Sequence, residues 1–193
     1  MKMQKIKQWV LAGWAVVFSL ILLTGCAGAD VGSGTGAGAG TGSGTGTPSA
    51  SKADASFVAI AGSNGLLQVQ LSELAMQKSA NLEVREFAKL MAQQHTRINT
   101  ELKGVAQQMR VTYPGALSGN DKVIYDRTAK LSSPVFEQTY AREMETALQQ
   151  DIALYQNAVS SSSNLALRGF ALKNTPVLQG YLRLATQLKK VVP

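Results

Sequence analysis

Residues at steps of three or four form two long, mostly apolar stripes, which predicts two amphipathic helices with one buried face each. The first stripe consists of Val84, Phe87, Met91, His95, Ile98, Leu102, Val105 and Met109. The second consists of Leu167, Phe170, Asn174, Leu178, Tyr181, Ala185 and Leu188, each 83 residues after its counterpart in the first. Residues 79–88 and 162–171 also share the frame S-x-N-L-x-x-R-x-F-A. We infer a duplicated helical unit.

Two further helices are predicted as packing partners. One carries Phe57, Ile60, Asn64, Leu67, Leu71 and Leu74 on one face, and the other carries Phe136, Tyr140, Met144, Leu148, Ile152 and Tyr155. Gly62 and Gly65 weaken the prediction of the first helix, because an interior glycine costs about 1 kcal/mol relative to alanine. Pro176 is expected to kink the last helix.

The helix boundaries are indicated by capping residues. Asn81 and Asn164 are predicted N-caps, and Ser133-Pro134 is typical of a cap followed by proline at the first helical position. Residues 111–133 are too many for a tight turn and are expected to contain a short helix near 119–131. The predicted fold class is therefore all-α, a ferritin-like four-helix bundle made of two helical hairpins with a short extra helix in the crossover.

The N-terminus resembles a bacterial lipoprotein signal. Three lysines precede an uncharged apolar run over residues 9–23, which is shorter than the roughly 20 residues that span a bilayer. The run ends in Leu23, Thr24, Gly25 and Cys26, which resemble the lipobox whose cysteine is acylated and becomes the new N-terminus. An uncleaved membrane anchor is the alternative. Cys26 is the single cysteine, so no disulfide is expected.

Three regions follow from this: a signal peptide over 1–25, an acylated cysteine with a Gly/Ser/Thr-rich flexible tether over 26–54, and a helical domain over 55–193. Residues 32–46 alternate glycine with Ser, Thr or Ala, a composition that cannot form a core. We expect a lipid-anchored protein of the bacterial cell envelope. Because Ala27 rather than Asp follows the cysteine, the expected place is the outer membrane, facing the periplasm.

Charge argues against nucleic acid as a partner. The chain has 19 Lys+Arg and 12 Asp+Glu, but removing residues 1–25 leaves 16 against 12, a net charge of +4 instead of +7. The last 42 residues contain no acid and five cations, namely Arg168, Lys173, Arg183, Lys189 and Lys190. This face either rests on anionic headgroups or is an ordinary solvated surface.

Two motifs, F-A-x-x-M-x-x-x-H at 87–95 and F-A-x-x-x-x-P-x-L at 170–178, resemble the DUF4142 family of secreted or lipid-anchored bacterial proteins. The resemblance covers about residues 57–188 and implies a ferritin-like fold, without an established activity. The family often has a glutamate in the first helix and a histidine in each of the other three. Gln68, Leu148 and Tyr181 occupy three of those positions here, and only His95 is kept.

The candidate chemistry centres on His95, the single histidine. It is either a ligand or general base, or a hydrogen-bonded core residue, and its counterpart Leu178 favours the second interpretation. Glu101 and Asp151 are the candidate inward carboxylates, and Tyr181 is the remaining candidate ligand; most other acids are expected on solvated faces. Methionines at 76, 91, 109 and 144 are expected in the core.

No complete catalytic set or di-metal ligand set is evident, since a di-iron bundle needs about four carboxylates and two histidines. We therefore expect a non-enzymatic protein without a cofactor, anchored to the membrane through Cys26. Its bundle would bind, or structurally support, an envelope protein or a small ligand. The alternative is a ferritin-like oxidoreductase with a reduced metal site at His95.

Overall fold

The computed structural model describes residues 50–192, which form five α-helices and contain no strand. They are α1 (Lys52–Lys78), α2 (Leu82–Gln108), α3 (Gly119–Ala129), α4 (Val135–Ser161) and α5 (Leu165–Val191). The predicted all-α fold and the short crossover helix are confirmed. The signal, the lipobox with Cys26 and most of the expected tether lie outside the described residues. Helix α1 begins at Lys52, three residues before the expected start of the domain.

The four long helices form a bundle with one long crossover. Helix α1 packs along α2 and α4, and α5 packs along α4 and α2. Hydrogen bonds join Asn64 to Asp151 and Ser72 to Tyr140, so α1 and α4 are antiparallel. Helices α2 and α4 therefore run parallel, and the chain between them, which includes α3, covers α1 and α4. Within residues 50–192, no helix is long and apolar enough to cross a membrane.

The duplication extends over both hairpins. Each long helix has 27 residues, and α4 and α5 begin and end 83 residues after α1 and α2. Ring contacts repeat in the same way. The Phe57–Phe170 pair, with centroids 6.4 Å apart, has its counterpart in Tyr140–Phe87 at 6.1 Å. The two halves are therefore related by an approximate twofold axis, with one aromatic cluster towards each end of the bundle.

Most of the predicted stripes form the core. All eight members of the α2 stripe are buried, and in the other helices Leu74, Ile152 and Tyr181 are partly buried. The prediction was wrong for Ile60, whose side chain is 53% exposed because it lines an open cleft beside α4. It was also wrong for Met76, which is 36% exposed near the end of α1.

Two of the three predicted caps are confirmed. The Asn81 side chain accepts bonds from the backbone of residues 83 and 84, and Asn164 accepts one from residue 167. The Ser133 cap was wrong, because Pro134 occupies the N-cap position. The Ser133 hydroxyl instead donates to the Glu137 carboxylate at 2.6 Å.

The interior glycines of α1 are explained by close packing. A Cβ added to Gly62 would lie 2.6 Å from Cγ of Pro114 in the crossover, and one added to Gly65 would overlap the Asn99 side chain. Glycine lowers the helix propensity at these two positions, but its missing side chain is what allows the neighbouring residues to come this close. Pro176 lies inside helix α5, which runs from Leu165 to Val191, as the sequence predicted. The kink expected at this proline stays a prediction.

Candidate ligand-binding site

A buried carboxylate lies in the middle of the bundle. Asp151 of α4 accepts hydrogen bonds from Asn64 Nδ2 at 2.7 Å and from Gln68 Nε2 at 2.6 Å, both from α1. All three side chains are buried. Helical spacing explains the pair, because residues 64 and 68 lie one turn apart on the same face of α1. Asp151 therefore points inward, held by two neutral amides.

No cation compensates the charge of Asp151, since no ion pair within residues 50–192 includes it. Burial raises the pKa of its carboxyl group to about 7; the bonds from Gln68 and Asn64 oppose this rise, and the negative charge of Asp121 adds to it. A charged carboxylate in an apolar interior is costly unless it is paired. The site therefore has an unmet demand for positive charge near neutral pH.

An open cleft of about 500 Å³ reaches this carboxylate between α1, α3 and α4. Its lining includes Ile60, Asn64, Asp121, Asp151, Leu154 and Asn157. Asp121 accepts a hydrogen bond from Ser63 at 2.6 Å, which fixes it at the α3 side. A neighbouring cleft of about 210 Å³ shares Asn64 and Asp121. Apolar walls beside two carboxylates are suited to a small molecule with an apolar body and a positively charged group.

His95 lies in the same layer of the bundle. Because Gly65 faces Asn99, Gln68 one turn later in α1 is level with His95 one turn earlier in α2. The His95 Nδ1 is 3.2 Å from the Met91 carbonyl, which can only accept, so Nδ1 carries the proton. Burial lowers the pKa of His95 to about 4, which the Met91 bond opposes only in part.

His95 is therefore neutral at pH 7, and its buried Nε2, a lone-pair acceptor in this tautomer, has no hydrogen-bond partner in the described part of the chain. The Gln68 Oε1 atom is also buried and unpartnered. These two acceptors could ligate a metal ion or receive a donor.

The other predicted ligands are not gathered here. Glu101 was predicted to point inward, but it forms an ion pair with Lys173 at 2.9 Å at the surface. Tyr181 is partly buried and its pKa is raised by burial. In residues 50–192, no three His, Cys, Asp or Glu side chains come together as a metal site. These residues do not match the carboxylate-rich set of a di-iron bundle.

Two acids expected on solvated faces are buried instead. Glu145 forms an ion pair with Lys189 and accepts a bond from Thr186, and Glu137 accepts bonds from Ser79 and Ser133. The hydrogen bond from Lys189 is the main cause that lowers the pKa of Glu145. Burial opposes this shift, and the bond from Thr186 adds to it. Both carboxylates have partners from neighbouring elements, and helical periodicity alone does not reveal those partners.

Sequence reasoning also missed the roles of Asn64 and Asp121. Asn64 was placed on the inward face of α1, and an amide on an otherwise apolar stripe was the signal that could have marked it. Asp121 could not be found in this way, because its position depends on how the crossover packs.

Comparisons with known proteins agree with the fold. A family model described as "Domain of unknown function (DUF4142)" matches residues 39–188. A solved structure described as "Crystal structure of DUF305 fragment from Deinococcus radiodurans" is similar with a TM-score of 0.64 and 13% sequence identity. The match covers 75% of this chain and 100% of that one, and at this identity it shows the fold alone. The search of curated proteins gave no match.

Proposed function

Since the chain belongs to the DUF4142 family of unknown function, whose model covers residues 39–188, we propose that it is a non-enzymatic binding protein of the bacterial envelope. Its lipid anchor is Cys26, and its ligand is a small molecule with a positively charged group that enters the cleft between α1, α3 and α4. Binding is supported by the arrangement of the polar side chains, in which the amides of Asn64 and Gln68 hold the Asp151 carboxylate beside the cleft.

The observation that carries the proposal is the buried Asp151 carboxylate, which has no cation partner within residues 50–192, beside a cleft of about 500 Å³. A ligand cation would supply the missing charge, and the charge-assisted bond would be shielded from water. Ile60 and Leu154 on the same wall would contact the apolar part of the ligand. This contact would give a role to the Ile60 side chain, whose exposure is unexpected from its place on the α1 stripe.

The test is a titration with n-butylammonium, followed as a rise in melting temperature against potassium at equal ionic strength. The matched variants are Asp151→Asn and Asp126→Asn; Asp126 is exposed on α3 and makes an ion pair with Lys122. We expect the rise in the wild type and in Asp126→Asn but not in Asp151→Asn. Because the ligand selects the ionised carboxylate, affinity should be about tenfold higher at pH 8 than at pH 6. An equal response of both variants would refute the site.

The membrane part of the proposal rests on the lipobox at 23–26 and on the glycine-rich segment after it. In a bacterial host, Cys26→Ser should move the protein from the membrane fraction to the soluble fraction. Ala29→Ser, a comparable change three residues later, should not. If both variants stay with the membrane, the acyl anchor is wrong, and the ligand site is judged separately.

A second candidate function, a metal-dependent oxidoreductase centred on His95, is favoured by the unpartnered Nε2 atom and the unpartnered Gln68 Oε1 in the same layer. Elemental mass spectrometry of protein purified without chelator or affinity-tag histidines tests it. About one bound metal per chain that is lost in His95→Ala would favour this alternative. Metal-free, folded protein would leave the binding function.

A further inference from the structure

The outer side of α5 carries an unusual combination of side chains. Its most exposed line, which we call the α5 ridge, consists of Leu165, Arg168, Leu172, Pro176, Arg183 and Lys190. Steps of three, four and seven residues place them on one side of the helix. Leu165 is 79% exposed and Leu172 is 64% exposed, the two highest values among the large apolar side chains of the described residues. Neither leucine contributes to the core of the bundle.

The cations of the α5 ridge are free of ion pairs. Lys173 and Lys189, which flank it, pair with Glu101 and Glu145. Within residues 50–192, no acid pairs with Arg168, Arg183 or Lys190. Helix α5 itself contains five Lys or Arg residues and no acid. The ridge therefore carries positive charge towards both of its ends, and it is roughly 37 Å long at 1.5 Å per residue.

The position of the ridge agrees with attachment near a bilayer. The Phe57 ring lies 5.1 Å from that of Tyr155 and 6.4 Å from that of Phe170, so α1 and α5 begin at the same end of the bundle. The N-terminal segment enters α1 at that end, and Leu165 lies there as well. The tether predicted from the sequence, about 25 residues, would have a root-mean-square span of roughly 25 to 30 Å, which would leave the bundle within reach of the surface.

We infer that the α5 ridge docks on the surface of an anionic bilayer, with Leu165 and Leu172 inserted among the headgroups and Arg168, Arg183 and Lys190 on lipid phosphates. Exposed leucines beside unpaired cations are the pattern of an interfacial helix, and charge complementarity selects anionic lipid. The inference rests on the membrane attachment in the proposed function. The inference goes beyond the proposed function, because an acyl anchor alone leaves the bundle free to rotate.

The experiment uses the full chain reconstituted into phosphatidylcholine vesicles with or without phosphatidylglycerol, together with a nitroxide-bearing lipid that quenches bimane. Gln187→Cys places the probe on the side of the α5 ridge, and Val123→Cys places it on α3; both positions are exposed. We expect quenching at 187, not at 123, and only with phosphatidylglycerol. It should vanish in about 1 M salt, where the Debye length is about 3 Å.

Charge variants give the matched control. Arg168→Gln/Arg183→Gln/Lys190→Gln removes the unpaired cations of the ridge, and Arg85→Gln/Lys89→Gln/Lys103→Gln removes three exposed cations of α2 with the same change in net charge. Each near-surface cation changes the docking equilibrium about fivefold, so the ridge variant should lose about a hundredfold and the α2 variant should stay docked.

Any of three results would overturn the docking surface. They are equal quenching at positions 187 and 123, equal quenching without anionic lipid, and equal losses in the two triple variants. The anchor is tested separately in the chain without an added cysteine. Bimane labelling of Cys26 there would contradict the acyl anchor of the proposed function. In that case the comparison of the two probes, made in a Cys26→Ser background, still decides whether the ridge docks.

Discussion

Asp151 and His95 should have opposite effects on the pH dependence of stability. The folded-state pKa of Asp151 is about 7, above the ordinary carboxyl value of 3.8, so between these values the folded protein holds a proton that the unfolded chain releases. This contribution is complete below pH 3.8 and is lost as the pH rises through 7. For His95 the folded-state pKa is about 4, below 6.5, so its contribution is present above pH 6.5 and is lost as the pH falls.

The expected magnitudes are similar. One pKa unit corresponds to about 1.4 kcal/mol, so the full effects are on the order of 3 kcal/mol for His95 and 4 kcal/mol for Asp151. Between pH 5 and 6 the two slopes oppose each other, each at about 1 kcal/mol per unit, and the free energy of unfolding of the wild type should be nearly flat. The opposing residues lie in one layer of the bundle.

Single substitutions should reveal each slope. Asp151→Asn keeps the shape, and the free Gln68 Oε1 can accept from the new amide after rotation; stability should then rise with pH by about 1 kcal/mol per unit. His95→Leu, which copies Leu178 of the second hairpin, should show the opposite slope. Urea unfolding followed by circular dichroism at several values between pH 5 and 6 measures both. Parallel pH profiles for all three proteins would refute the reasoning.

Three further predictions concern packing and capping. Gly62→Ala should lower the melting temperature, because its Cβ would meet the crossover proline, whereas Gly104→Ala, with nothing within 4 Å, should raise stability by about 1 kcal/mol. Asn81→Ala should cost about 1 kcal/mol in urea unfolding and Asn81→Gly only a few tenths, and equal losses would contradict the cap. Ser72→Ala should cost about 1–3 kcal/mol by leaving the buried Tyr140 hydroxyl without its 3.0 Å partner, and adding Tyr140→Phe should recover part of this in the same assay.

The helices could be predicted because their periodicity is local, and the α2 stripe from Val84 to Met109 is buried throughout. Ile60 shows the limit of that argument. It has the spacing of a core residue, but the boundary between core and cleft depends on where α3 and α4 lie, and these elements are distant in sequence.

The candidate site was predictable only in part. Asp151 lies next to the apolar stripe of α4 in the sequence, and Gln68 was identified through a family resemblance. Neither observation indicates that the two side chains form a hydrogen bond. Glu101 had the same kind of signal as Asp151 and lies at the surface, because Lys173 of α5 is in reach. Identical patterns on single helices therefore lead to different surroundings once four helices pack.

Gln68 and Asp151 are 83 residues apart, so they occupy equivalent positions in the two hairpins, and this has a consequence for symmetric assemblies. Two separate copies of one hairpin, packed as a homodimer, would place the same residue twice across the twofold axis: two carboxylates that repel, or two amides that bring no charge. The 2.6 Å bond between an amide and a carboxylate needs two halves that differ, which two covalently joined hairpins allow and two identical copies do not. Fusion of the two hairpins is thus what allows the centre of this bundle to carry a single, off-balance charge.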